Sequence, residues 1–205
     1  MARLYERQKI SDEAAYRKKL EKTREYFTPD SRVLELGCGT GTTAVLHAPY
    51  VGRIRAVDFS KNMIAIAQDK ASAAGIENID FEVASVDAFE AGGVGFDAVL
   101  MMSILHLLDN RREVLDKVFG LVKPGGVFVS STVCVQKSGM IGVILPVGRA
   151  LGILPTINFL TKEKLLEDIR DAGFKVEHEW QPGNGMAVFV VARRPGPGRP
   201  TMTLQ

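Results

Sequence analysis

The sequence predicts an α/β domain: a mostly parallel sheet with helices on both faces, ended by an antiparallel hairpin. Three observations carry that expectation. Short apolar runs alternate with helix-period segments, as parallel strands joined by crossover helices do. A glycine-rich stretch, Gly37-Cys38-Gly39-Thr40-Gly41, lies between the first apolar run and a helix pattern. Near the end, the runs Phe174 to Trp180 and Met186 to Ala192 are separated only by the turn Gln181-Pro182-Gly183-Asn184-Gly185. Strands joined by so short a turn pair antiparallel.

The elements follow in order. A helix is expected from about Ser11 to Phe27, with Ser11 as N-cap, Asp12 and Glu13 in the first turn, and Ala14, Leu20 and Phe27 near one face. Arg32 to Leu36 is a strand, and a helix containing Thr42, Ala44, Val45 and Leu46 follows the glycine stretch. Ile54 to Val57 is a second strand ending at Asp58. Ser60 caps a helix from Lys61 to about Ala74, with Met63, Ile64, Ala67 and Ala71 inward and Gly75 as its stop. Ile79 to Val83 is a third strand. Phe96 to Met102 is a fourth, apolar enough to be buried on both faces. A helix spans Arg111 to Leu121, Lys123-Pro124-Gly125-Gly126 turns, and Val127 to Val133 is a fifth strand. A helix from Lys162 to Ala172 stops at Gly173. In the following strand Phe174, Val176, His178 and Trp180 alternate with Lys175, Glu177 and Glu179.

The chain has 205 residues, 46% of them apolar, which suits one sizeable core. A net charge of +2 gives no strong pull toward nucleic acid. Two distant cysteines, Cys38 and Cys134, suggest no disulfide framework and, with three histidines, no metal-ligand cluster. The charged N-terminus has no signal-peptide core, and a reducing cytoplasm is the expected location. Residues 194–205, rich in Pro, Gly and Arg, read as a disordered tail.

Glycines between a strand and a helix let a ligand lie against the backbone, and an acid ending the next strand, Asp58, can accept ribose hydroxyls. Dinucleotides and S-adenosylmethionine both use that arrangement. The dinucleotide pattern G-x-G-x-x-G wants a third glycine where this chain has Thr42. Glu35, inside an apolar strand, would repel a pyrophosphate but suits a ligand with an ammonium and a sulfonium.

The run Val33-Leu34-Glu35-Leu36-Gly37-Cys38-Gly39-Thr40-Gly41 resembles the first motif of class I S-adenosylmethionine-dependent methyltransferases. The likeness continues in Ala56-Val57-Asp58-Phe59-Ser60 through Met63, Phe96-Asp97-Ala98-Val99, Ile104-Leu105-His106, Lys123-Pro124-Gly125-Gly126, and Leu160-Thr161-Lys162-Glu163 through Ala172-Gly173-Phe174. The resemblance implies a three-layer Rossmann-like fold with seven strands, the last antiparallel. It implies that Glu35, Gly37, Cys38, Gly39 and Gly41 hold the methionine moiety, Asp58 the ribose, and Phe59 and Met63 the adenine or ribose. Met102 ends the fourth strand beside them. Many relatives carry an Asp after strand three; here that position is Ser85, followed by Val86 and, two residues late, Asp87.

The implied activity is methyl transfer to a small, partly apolar acceptor, with no metal. Met101-Met102-Ser103-Ile104 lacks the Asn/Asp-Pro-Pro-aromatic motif of nucleic-acid amino methyltransferases. His106, at the rim of strand four, is a candidate proton acceptor; a packing role is its alternative. His178 reads as packing, and Tyr5 and Tyr16 as candidates to close over the cofactor or to pack. The apolar stretch from Gly139 to Pro155 is expected to form a lid or pocket wall within an insertion over 137–160; membrane-surface or dimer contact is its alternative. The domain is expected to span 1–193, with residues 1–30 as a helical lid, in a monomer or homodimer. A silent S-adenosylmethionine-binding protein and an NAD-type oxidoreductase are the rival readings.

Overall fold

A computed structural model describes residues 13–134, 160–182 and 186–196. The helices are α1 (Glu13–Arg24), α2 (Thr42–His47), α3 (Lys61–Ala73), α4 (Arg111–Leu121) and α5 (Lys162–Asp171). The strands are β1 (Arg32–Leu36), β2 (Arg53–Asp58), β3 (Ile79–Val83), β4 (Phe96–Met102), β5 (Val122–Val133), β6 (Lys175–Trp180) and β7 (Ala187–Arg193). They form one sheet in the order β3-β2-β1-β4-β5-β7-β6. β7 is antiparallel to both its neighbours, and the other pairings are parallel. This is the expected Rossmann-like three-layer sheet.

Each face of the sheet carries its own core. On one, Leu34, Leu36, Val99, Met101 and Phe128 pack with Val114, Leu115 and Val118 of α4 and Leu165 and Ile169 of α5. On the other, Val33, Leu100, Val129 and Phe189 pack with Ala44 of α2 and Ile64 of α3. Alternation along each strand sends odd and even residues to opposite faces. Ion pairs tie α4 to α5: Arg111 Nε lies 3.0 Å from the buried Asp168, and Arg112 3.1 Å from Asp171.

The Ser60 cap and the Gly75 stop fall where the sequence places them. The Ser60 side chain accepts from the Met63 N–H, and Gly75 takes a left-handed φ of 65° just beyond α3. Thr161 caps α5 in the same way by accepting from Lys164.

Four details differ from the sequence reading. Within the described residues α1 ends at Arg24, because turns from Tyr26 to Thr23 and Phe27 to Arg24 tighten its last residues. Ala15, not Ala14, faces inward beside Leu20 and Thr23, one step of about 100° around the helix. No helix joins β3 to β4, so alternation is broken over residues 84–95, where Phe89 fills the core instead. Lys123 to Gly126 is a bulge rather than an end: β4 pairs Phe96 with Val122 and Ala98 with Val127, leaving four residues opposite Asp97.

The Ser11 cap, Asp12, Tyr5, the 139–155 segment, Gly183 to Gly185 of the hairpin turn, and the tail from residue 197 lie outside the described residues. Among the described residues no helix is long and apolar enough to cross a membrane, and no cluster could hold a metal ion.

Candidate cofactor and acceptor site

The chain leaves β1 outward to β2 and β3, then returns to β4 on the other side of β1. Ligands bind at the carboxyl edge of such a switch point. The glycine stretch sits there. Gly37 and Cys38 donate to the Val57 carbonyl at 2.7 and 2.9 Å, folding the loop back over β2. Gly37, Gly39 and Gly41 have φ of 72°, 55° and 71°, a region costly for side-chain-bearing residues.

These glycines serve different ends. A Cβ on Gly37 would collide with Ile104, and one on Gly41 would lie 2.7 Å from the Ala67 Cβ and 3.1 Å from the Phe81 ring. Gly41 therefore lets the loop close onto α3 and β3. A Cβ on Gly39 would meet nothing within 4 Å among the described residues, unlike those on Gly37 and Gly41. Behind the loop Lys70 donates to Thr42 Oγ1 at 2.8 Å and Thr40 Oγ1 at 3.1 Å. Thr42, in place of the dinucleotide glycine, is one end of that clasp.

Two carboxyl groups flank the loop. Asp58 is buried at the end of β2; Oδ2 accepts from Gly39 N–H and Oδ1 from Ser60 N–H, both at 2.9 Å. Each oxygen keeps a further lone pair for a ligand hydroxyl. Glu35 is only 2% exposed, and its Oε2 has no partner among the described residues. Burial pushes its carboxyl up to about 8, against a bond from the Ala44 N–H and with Asp58 adding to the rise. At neutral pH the free protein thus holds Glu35 mostly as the neutral acid. A ligand cation beside it would satisfy the orphan oxygen and ionise it. The residues present therefore fit a ligand with a cationic end and a ribose. Burial, with Glu35 and Asp58 nearby, pushes the Cys38 thiol far above its ordinary range, so it is a small loop residue and no nucleophile.

The remaining candidates lie around this centre. Phe59 is 77% exposed, a ring free to cover a bound base, and Met63 is half-buried in the first turn of α3. Ser85 is exposed and accepts from Ala88 N–H, and Val86 is buried in the core, its carbonyl held by Lys117. Asp87 is engaged elsewhere, accepting from Asn110 Nδ2 at 2.7 Å. Met102 is half-buried at the end of β4. His106 lies in a 3₁₀ turn, Leu105–Leu107, with its buried Nδ1 unpartnered among the described residues. Desolvation lowers its pKa, so its imidazole is neutral and able to accept a proton. His178 packs edge-on to Phe189, outside the site. The Tyr16 hydroxyl is 2.9 Å from Thr43 Oγ1 and is held above its ordinary pKa by burial, with Glu35 reinforcing the shift.

The sequence reading missed Lys19, Lys70, Ser103 and Ser131. Ser103 is the non-glycine residue with positive φ among the described residues, 61°, where β4 leaves the sheet. Its N–H donates to the Ser131 carbonyl at 2.7 Å. Nothing in a Ser-Ile or Lys-Lys dipeptide announces such positions. A cavity of about 450 Å³ between α3 and β3, lined by Gln68, Ser72, Glu77 and Asp80, includes none of these groups in its wall.

Residues 33–126 match a family model described as a methyltransferase domain. A ubiquinone biosynthesis O-methyltransferase of Paracidovorax citrulli is 31% identical over 125 residues, which is 60% of this chain and 52% of that protein. The chain spans about half to three fifths of the length of the curated relatives it matches. Among solved structures, the [4+2]-cyclase SpnF superposes with a TM-score of 0.75 at 20% identity, over 93% of this chain and 85% of that one. The N-methyltransferase NodS of Bradyrhizobium japonicum, in complex with S-adenosyl-L-homocysteine, superposes with a TM-score of 0.67 at 17% identity, over 87% of each chain. At such identities these two likenesses speak for the fold alone.

Proposed function

We propose that this chain, whose residues 33–126 match a methyltransferase domain, is a class I S-adenosylmethionine-dependent methyltransferase that transfers the cofactor's methyl group to a small, partly apolar acceptor. The observation that carries the reading is Glu35: a buried carboxyl with an oxygen unpartnered among the described residues, beside Gly39, where a Cβ would meet nothing within 4 Å among them. An unpartnered buried acid is costly and calls for a cation.

In this reading Glu35 and the N–H groups of the glycine loop hold the amino-acid end, and Asp58 accepts the ribose hydroxyls. Phe59 and Met63 cover the base, with the Val86 N–H or Ser85 beside its edge. When bound, the cofactor supplies an electrophilic methyl on a sulfonium. The chain's task is then to orient the acceptor beside Met102 and exclude water. His106, neutral and with a ring nitrogen unpartnered among the described residues, accepts the acceptor's proton.

A second reading has one observation in its favour: the fold is also that of a [4+2]-cyclase, so the fold alone does not dictate methyl transfer. Label transfer separates the two. Protein incubated with methyl-labelled S-adenosylmethionine and a mixture of apolar metabolites should move label into a small molecule. Tight cofactor binding with no label moved into any fraction would leave the silent-binder reading standing instead. An NAD-type oxidoreductase is disfavoured by Glu35 and Thr42.

A further inference from the structure

We propose that the buried hydroxyls of Ser130 and Thr132 form a specificity subsite that binds an uncharged hydroxyl, carbonyl or amide group of the methyl acceptor; this rests on the methyltransferase reading above. Both residues are 0% exposed, and neither Ser130 Oγ nor Thr132 Oγ1 has a hydrogen-bond partner among the described residues. A buried hydroxyl left unpaired is costly, and here two of them stand two residues apart on β5. Such a pair calls for a partner.

The strand pairings place the subsite. Phe128 and Cys134, which flank the pair along β5, belong to the core beneath α4 and α5, so Ser130 and Thr132 face that core. Ser130 pairs with Met101 of β4 and Val190 of β7, and Thr132 with Val188 of β7. The β4 ladder ends at Met102 opposite Ser131, so no residue of β4 pairs with Thr132. There β4 leaves the sheet: Ser103 is held at a φ of 61° and donates to the Ser131 carbonyl. The turn that follows joins the two halves of the site. Ile104 lies where a Cβ on Gly37 of the glycine loop would be, and His106 is two residues beyond it. The two hydroxyls therefore stand across this turn from the cofactor loop, on the side of Met102 where the acceptor is placed.

The surroundings select the chemistry. Met101, Leu105, Leu160, Leu165, Val188 and Val190 make this face apolar. Arg111 and Lys162, whose charges reach Cys134 on the same face, are already tied to Asp168 and Glu179. An ionised group would be buried here without a counter-charge, at high cost. A hydroxyl both donates and accepts, so it suits any neutral polar group. Two hydroxyls with Cα atoms about 6.6 Å apart can both reach one oxygen lying between them. An analogue lacking that oxygen leaves both hydroxyls unpaired, so it is rejected by the cost of the unmade bonds.

The test uses two fragments of nearly equal shape, phenol and toluene, whose binding to S-adenosylhomocysteine-saturated protein is followed by ligand-observed NMR. The ratio of their affinities is compared between proteins, so their own hydration cancels. Thr132→Val keeps the shape and loses the hydroxyl; it should lower the phenol-to-toluene ratio about three- to tenfold, and Thr132→Ser should restore it. Ser130→Ala should move the ratio the same way. S-adenosylhomocysteine affinity should stay within about threefold in all three. A second readout separates ligand from fold. Without ligands Thr132→Val should melt at the wild-type Tm or above it, because it removes an unpaired buried hydroxyl. A lowered Tm would show that the hydroxyl is already bonded in the free protein, as to an ordered water, and overturns the subsite. A ratio unchanged in Thr132→Val, or binding of neither fragment to wild type, overturns it too. Failure of S-adenosylhomocysteine to bind strikes at the cofactor reading instead, and the same fragment pair on the free protein still judges Thr132.

Discussion

Glu35→Gln should make the free protein more stable at alkaline pH while costing most of its cofactor affinity. The sign follows from proton counting. The folded Glu35 carboxyl is pushed up to about 8 by burial, whereas an unfolded one titrates near 4.5. Between those values the folded state binds more protons than the unfolded, so stability falls as pH rises through that window. His47 contributes the opposite limb. It is buried and held down to about 3 by desolvation, with Arg24 adding to the effect, so its contribution is lost as pH falls from 6.5 toward 3. The two slopes oppose each other between about 4.5 and 6.5, and the free protein should be most stable there.

The Glu35→Gln substitution removes only the alkaline limb. At pH 9 the variant should gain about 2–4 kcal/mol, a rise in Tm of roughly 5–10 °C, and below pH 5 it should match wild type. Its affinity for S-adenosylmethionine should fall roughly 30- to 150-fold, about 2–3 kcal/mol, because a neutral amide replaces a desolvated carboxylate facing a cation. Thermal melts across pH, with calorimetry, measure both. A variant destabilised at every pH, or one that keeps full affinity, would show that Glu35 serves the fold rather than the ligand.

Asp58→Ala carries the next largest effect. Its carboxylate holds the N–H groups of Gly39 and Ser60, so it joins the end of β2, the glycine loop and the turn into α3. Removing it loses two charge-assisted bonds within the protein as well as the ribose contacts proposed for it. Stability should drop by about 1–3 kcal/mol, and cofactor affinity by roughly 100-fold or more, with the sheet intact by circular dichroism. Affinity that falls only as far as the population of folded protein falls would confine Asp58 to holding the loop.

Most of the sheet could be read from the chain because strand order follows pattern. Continuous apolar runs such as Ala98 to Met101 bury on both faces, and Phe174 to Trp180 alternates because β6 is an edge strand. The loop between β3 and β4 escaped the reading because Val86 and Phe89, with no helical spacing, fill the core there in place of a helix. Glu35 and Asp58 were visible as carboxyl groups in the wrong solvent. Lys19, Lys70 and Ser131 were not, since their contacts include partners 28 or more residues away. Gly41 shows the limit of motif reading: it belongs to the glycine pattern, yet the space beyond it is filled by Ala67 and Phe81, so it shapes the loop, whereas Gly39 has no neighbour there among the described residues.

The central claim is that a cationic adenosine cofactor ionises Glu35. Calorimetric titration of wild type with S-adenosylhomocysteine at pH 7, repeated in two buffers of different ionisation heat, tests it most directly. With the free carboxyl at about 8, binding should release close to one proton per site, and affinity should rise with pH up to that value. Binding without proton release, or heat from NAD in place of S-adenosylhomocysteine, would contradict it.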